Sequence, residues 1–374
     1  MINVILFGTG KASFIVKSSL KSEVNIVCYC DNDKSKWNTI HEGKKVINPK
    51  VISNIEYDYI LIASQFNSTI YKQLIKQGIS NKKILQFYLY IDYCENIISS
   101  KMKRYLDNEN CEVIATGLSY MDYALASAGN ITNLFNFANP SQDLFYDYNI
   151  VKFIQENYPE KIKQLKCVLI GLSYYSFQYD MSLSAMKGKV PLYYDVLEKS
   201  HNFNEVNKVL NMIETNNEIA KKVLNLDENN YPRINWNEDV EKKMNVNEVE
   251  GKKQADLDCQ KKYPITVREN YDILSSYLEL LNKYNIHPII LICPVSKYYF
   301  KNFSIKMKKE FYQIISELKE KYFFEFIDLF QSDEFFDNDF YDVSHLNFDG
   351  SRKFVEKLQN ILCSQNITLN EFLN

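Results

Sequence analysis

Apolar residues along this chain fall in short blocks of strand length, separated by stretches with helical periodicity. Residues 3–7 read as a buried strand, 11–20 as an amphipathic helix, and 24–30 as a second strand ending at Asp31-Asn32-Asp33. Residues 57–63 form a third strand pattern and 70–77 a helix, and 83–87 close the unit. Apolar runs that alternate with helices predict a parallel sheet covered on both faces. Residues 93–110 have the pattern of a helical connector.

A second series of the same kind starts at Cys111. Strands are expected at 112–116, 131–138 and 167–170, with helices after the first two. A segment of about ninety residues, 174–265, then breaks the alternation, aromatic at first and later polar and charged. That is too long for a structureless loop in a compact domain, so a mainly helical cap is expected there. The pattern resumes with a helix at 267–284, a strand at 288–293, a helix at 307–322, a strand at 326–329 and a last helix from 349 to 363. The expectation is α/β throughout. Residues 1–92 form a short Rossmann-like domain, 93–110 a connector, and 111–374 a flavodoxin-like domain carrying the inserted cap.

Composition changes this picture little. At 374 residues the chain suits two cores better than one. A formal charge of −3 gives no electrostatic reason to expect nucleic acid as a partner. The eight cysteines include no Cys-x-x-Cys pair, and most sit in apolar runs, which predicts buried free thiols and no metal centre. No basic leader precedes the first strand, and no run approaches the ~20 apolar residues that span a bilayer; a cytoplasmic location is the expectation. Composition is silent on oligomeric state.

In an open parallel sheet, ligands bind beyond the carboxyl ends of the strands, where the strand order reverses. In the second series the loops at that end carry Gly117-Leu118-Ser119-Tyr120, Asn139-Pro140-Ser141-Gln142, Gly171-Leu172-Ser173-Tyr174 and Tyr341-Asp342-Val343-Ser344-His345. A serine hydroxyl needs an adjacent base, usually histidine, oriented in turn by a carboxylate. Ser119 stands at a strand-to-helix turn, and Asp342 and His345 stand three residues apart before the last helix. The alternative reading makes Ser119 a helix N-cap, makes Asp342 and His345 caps of the last helix, and takes Asn139-Pro140-Ser141-Gln142 as a capping box.

This arrangement, with Asp342-x-x-His345 followed by Leu-Asn-x-x-Gly, resembles the SGNH (GDSL-like) hydrolase family over roughly residues 111–365. The resemblance implies Ser119 as nucleophile, His345 as general base and Asp342 as the orienting acid. The family's usual oxyanion-hole Gly and Asn are replaced here, leaving Ser141, Ser173 and Tyr174 as candidates to contact the oxyanion or substrate. The pattern is similar to the divergent branch that accompanies bacterial surface-glycan genes. That similarity implies acyl-ester hydrolysis or acyl transfer on a sugar or glycan precursor, with no cofactor required for the acyl chemistry. Two rivals are a non-catalytic binding or scaffold protein of a glycan pathway, and another group transferase that uses a nucleotide-sugar.

At the front of the chain, Gly8-Thr9-Gly10-Lys11-Ala12-Ser13 follows a strand and opens a helix, the context of a phosphate-cradling turn. Asp31 lies 21 residues beyond Gly10, near the spacing at which an acid meets a ribose hydroxyl. Gly8, Gly10, Lys11, Ser13 and Asp31 are therefore the candidate nucleotide-binding residues. The resemblance here is to short Rossmann-like domains that precede bacterial glycan enzymes, which implies a nucleotide-sugar as ligand. A degenerate domain that binds nothing is the alternative.

Overall fold

A computed structural model describes residues 1–64, 66–228, 230–233 and 246–364. The chain divides into two compact units. The first comprises Met1–Ile97, Ala185–Asp195 and the described part of Phe203–Lys242; the second comprises Ile98–Ser184, Val196–Asn202 and the described part of Lys243–Asn374.

The first unit holds strands β1 (Ile2–Phe7), β2 (Val24–Cys30), β3 (Ile40–His41), β4 (Lys44–Ile47), β5 (Tyr59–Ile62) and β6 (Ile84–Gln86) in the order β3-β4-β2-β1-β5-β6. All pairs are parallel except β3 with β4. The two faces of the sheet bury separate apolar clusters, because successive side chains of a strand point to opposite sides. Val4 and Leu6 enter one cluster, and Ile5 and Phe7 the other. The order reverses at β1, whose end leads into the Gly8-Thr9-Gly10 turn and the helix Lys11–Ser18. The edge strand β3 and its neighbour β4, two and four residues long, escape the sequence reading.

The expected cap does not form one body around the second sheet. The helix Val206–Val223 buries Ile219, Ala220 and Val223 in the first unit's core, against residues such as Val4, Leu6 and Leu85. Asn216 on that helix accepts the Gln86 backbone N–H at 3.0 Å, and Lys21 N–H reaches the Val223 carbonyl. The helix Glu248–Cys259 belongs to the second unit. Its Gly251 lies so close to Tyr298 that a Cβ would stand 2.5 Å from the Tyr298 carbonyl.

The second unit has five parallel strands, β7 (Val113–Gly117), β8 (Leu134–Asn136), β9 (Cys167–Leu172), β10 (His287–Ile292) and β11 (Glu325–Asp328), in the order β11-β10-β9-β7-β8. Counted within the unit this is 2-1-3-4-5, the flavodoxin-like order, whose switch point falls between its first and third strands. Here those are β7 and β9. Strands β7 and β9 are buried at every position, as a sheet covered on both faces requires. Among the described residues no helix is long and apolar enough to cross a membrane.

Candidate active site

Strand β7 ends on Gly117 at φ +137°, where a Cβ would lie 2.4 Å from the Gly171 carbonyl oxygen. Only glycine tolerates that backbone and that approach. The chain turns there directly into the helix Ser119–Ala124, with Leu118 at the cap position. Ser119 is thus the first helical residue and does not cap its own helix. Its hydroxyl instead lies 2.8 Å from His345 Nε2.

The loop after β11 brings the histidine. Asp342 organises it by accepting the backbone N–H groups of Ser344 at 2.8 Å and His345 at 2.9 Å. The same carboxylate meets His345 Nδ1 at 2.9 and 3.0 Å. Tyr341 N–H closes the turn onto the His345 carbonyl at 2.8 Å. The last helix is capped by neither residue: Asn347 Oδ1 accepts the Gly350 N–H at 3.0 Å. Burial pushes the Asp342 carboxyl upward, but the adjacent His345 charge and hydrogen bonds from the ring and two backbone N–H groups hold it below its ordinary range. It therefore stays ionised at neutral pH. Ser119, His345 and Asp342 form one continuous hydrogen-bonded relay, the constellation that activates a serine nucleophile.

The other candidates separate. Ser173 follows β9, whose Gly171 pairs with Gly117 of β7, so Ser119 and Ser173 each stand two residues beyond a matched pair at the switch point. Its hydroxyl is buried with no hydrogen-bond partner among the described residues, and its backbone N–H is taken by Ser176 Oγ at 2.9 Å. Ser141 adopts φ +70° and its carbonyl accepts the Tyr179 hydroxyl at 3.1 Å. Tyr174 packs among Phe303, Phe311 and Phe330, and its hydroxyl donates to Asp328 at 2.6 Å. It is a core residue, which corrects its place among the substrate contacts. The capping-box reading of residues 139–142 is corrected as well. The helix is Leu144–Asn157, and Asp143 caps it through Phe145 and Tyr146 N–H.

That same Asp143 joins a buried cluster the sequence does not disclose. Asp143, Asp180 and His201 place ligand atoms within 4.8 Å of one another. Nδ1 of His201 lies 2.9 Å from Asp143 and 3.5 Å from Asp180, and Nε2 lies 3.4 Å from Glu269. Backbone N–H groups of Met181 and Ser182 already occupy the two aspartates. The imidazole stacks on Phe145 at 4.8 Å. Burial pulls the His201 pKa down, but the Asp143 bond and the charges of Asp143, Asp180 and Glu269 outweigh it and raise the value to about 9. With that raised value the ring is protonated at neutral pH, and Asp143 holds its Nδ1 proton. Only the fold assembles this cluster, from residues 37 and 58 positions apart that share no sequence signature.

In the first unit, Gly8 takes φ +118° and lies against Ala63, and Gly10 caps the helix Lys11–Ser18. Ser13 Oγ donates to the Gly10 carbonyl and lies 3.1 Å from His41 Nε2. The Asp31 carboxylate is engaged within the chain, by Thr9 N–H at 3.2 Å and Lys36 Nζ at 3.1 Å. The acid expected to meet a ribose hydroxyl is thus already hydrogen-bonded to the turn itself.

Comparison with known proteins adds two family matches. The family described as DltD protein matches residues 150–362, more than half the chain, a stretch that includes Asp342 and His345 and begins after Ser119. The family described as C2185-like, N-terminal, matches residues 1–85. No curated protein matches the chain. Similar solved structures include a Streptococcus pneumonia protein described as a platelet activating factor, at 12% identity and TM-score 0.37, covering 79% of this chain and 99% of that one. A Bacteroides fragilis acylhydrolase has 10% identity and TM-score 0.34, covering 73% and 98%. A Bacteroides thetaiotaomicron GDSL-like lipase has 9% identity and TM-score 0.34, covering 74% and 100%.

Proposed function

The chain belongs to the DltD protein family, and from that membership and its serine–histidine–aspartate relay we propose a serine-dependent acyl-ester hydrolase or acyltransferase acting on a sugar or glycan precursor. The observation that carries the reading is the unbroken contact from Ser119 through His345 to Asp342. Ser119 Oγ attacks the ester carbonyl carbon while its proton passes to His345 Nε2. Asp342 holds the ring in the tautomer that leaves Nε2 free to accept, and offsets the imidazolium charge. Collapse of the tetrahedral intermediate breaks the carbonyl–alkoxy bond, and the departing alcohol takes the proton from His345. Water or an acceptor hydroxyl then attacks the acyl-serine, giving its proton to His345, and Ser119 recovers that proton as it leaves. The acceptor decides between hydrolysis and transfer.

Negative charge on the carbonyl oxygen needs donors pre-aimed at it. The backbone N–H of Ser119 opens a helix, where such groups are left without an intrahelical partner. The Ser173 hydroxyl at the same switch point, buried and without a hydrogen-bond partner among the described residues, is the second donor in this reading.

The test is covalent labelling of the full chain with a fluorophosphonate probe. Labelling that disappears in Ser119→Ala, with the melting temperature unchanged, supports the assignment. Equal labelling of that variant sinks it. An unlabelled wild-type protein that still binds glycan favours the non-catalytic scaffold instead.

A further inference from the structure

A triad supplies its histidine with in-plane partners on both ring nitrogens and leaves the two ring faces unassigned. Here two tyrosine rings lie beside the imidazole. On the helix Ser119–Ala124, residues three apart share a face, so Tyr120 and Tyr123 project together beside the nucleophile. The Tyr123 ring lies 4.7 Å from the His345 ring at a 36° tilt, and the Tyr120 ring lies 5.3 Å away at 31°. We propose that Tyr123, with Tyr120, is a positioning residue for His345, packing its ring against the imidazole and stabilising the imidazolium that forms when Ser119 gives up its proton. The proposal rests on the reading of Ser119 and His345 as nucleophile and base.

Aromatic faces carry partial negative charge and attract a cation within about 6 Å of the ring centre. Both distances fall inside that reach. The tilts of 31° and 36° are nearer to parallel than to the perpendicular of an edge contact. Each tyrosine is itself held. The Tyr120 hydroxyl lies 3.2 Å from that of Tyr299, which donates to Asp258 at 2.8 Å. The Tyr341 ring lies 6.0 Å from Tyr123, and its backbone N–H fixes the His345 carbonyl. The polar and titratable groups around the imidazole are thus Asp342, Ser344 and Tyr341 from its own loop, and Ser119, Tyr120 and Tyr123 from the facing helix. Asp342 is the carboxylate that these contacts show beside the ring among the described residues, and in this proposal the tyrosine rings add to its stabilisation of the charge.

The experiment compares wild type with Tyr123→Phe, which keeps the ring face, and with Tyr123→Leu and Tyr123→Met, which remove it. The His345 ring resonance, identified by its loss in His345→Gln, is followed by NMR against pH in the full chain. In parallel, the fluorophosphonate labelling rate is measured against pH. Losing the ring face is expected to lower the titration midpoint by about half a pH unit and to slow labelling several-fold, with Tyr123→Phe behaving as wild type. Equal midpoints in all folded variants overturn the proposal, even where Ser119 labels normally. A midpoint that moves in the Leu or Met variant and is kept in Phe supports the ring contact, even where the probe fails and the nucleophile reading falls with it.

Discussion

Ser119 Oγ and His345 Nε2 lie 2.8 Å apart although 226 residues separate them in sequence. The sheet makes the meeting possible. β7 and β11 are parallel members of one sheet, so the turns that follow them emerge at the same edge.

The first prediction concerns the carboxylate behind that contact. Asp342→Asn keeps the shape and removes the charge that stabilises imidazolium. The acid limb of kcat/KM for an ester substrate should move to lower pH, and kcat should fall roughly 10²–10⁴-fold as the ring loses its tautomer control. A pH–rate profile checks both. Unchanged limb and rate would mean that the two residues do not act as a catalytic pair. A carboxyl held below its unfolded value contributes stability above that value and loses it as pH falls through the folded one. The Asp342 contribution should therefore vanish only in strong acid, below about pH 4.

Ser173 offers a sharper contrast. If its hydroxyl donates to the oxyanion, Ser173→Ala should cost about 10²–10³ in kcat with little change in KM. Since that hydroxyl has no partner among the described residues, the same change should leave stability level or slightly improved. A full-activity Ser173→Ala removes it from the site.

The Asp143–Asp180–His201 cluster predicts an alkaline weakness. With the folded His201 pKa raised to about 9, its contribution to stability is complete below the unfolded value of about 6.5 and declines as pH rises through 9. The urea midpoint of wild type should fall across that interval. His201→Gln should start lower and lose that dependence. Parallel curves for the two proteins would show that the ring carries no charge in the fold.

Gly117→Ala tests the turn that presents the nucleophile. The positive φ and the 2.4 Å approach to the Gly171 carbonyl leave no place for a methyl group. A loss of several kcal/mol, or failure to fold, is expected. A melting temperature within a degree of wild type would mean that the turn relaxes freely.

The N-terminal unit carries the fifth prediction, for a nucleotide-sugar diphosphate at the start of the helix Lys11–Ser18. Thermal unfolding of the full chain should shift upward with UDP-, CDP- or GDP-sugars, by about 2.7 kcal/mol at a hundred times Kd. Gly10→Val should abolish the shift while the unit still folds, since a Cβ there meets nothing within 4 Å. Absence of any shift, NAD(P) included, would leave the unit without such a ligand, consistent with an Asp31 already bound to Thr9 and Lys36.

What the sequence determined by itself was everything carried by short-range pattern. Strand and helix order follows from short apolar runs set against helical spacing, which is why β2 lies where its run places it and the other expected strands lie within a few residues of theirs. Gly117-x-Ser119 and Asp342-x-x-His345 were legible because each is one local turn whose chemistry its own residues dictate. Tertiary structure decided what depends on meeting across distance. Residues 206–223 look like part of a cap around the second sheet, yet their apolar face completes the first unit's core, since an amphipathic face does not encode its partner. Tyr174 sits beside Ser173 in the loop after β9, yet its ring packs into an aromatic core while the Ser173 hydroxyl is buried without a partner among the described residues. His201 shows no partner in the sequence, because the two aspartates that charge it arrive from loops after different strands. Such a cluster depends on the packing of loops, and no spacing along the chain records it.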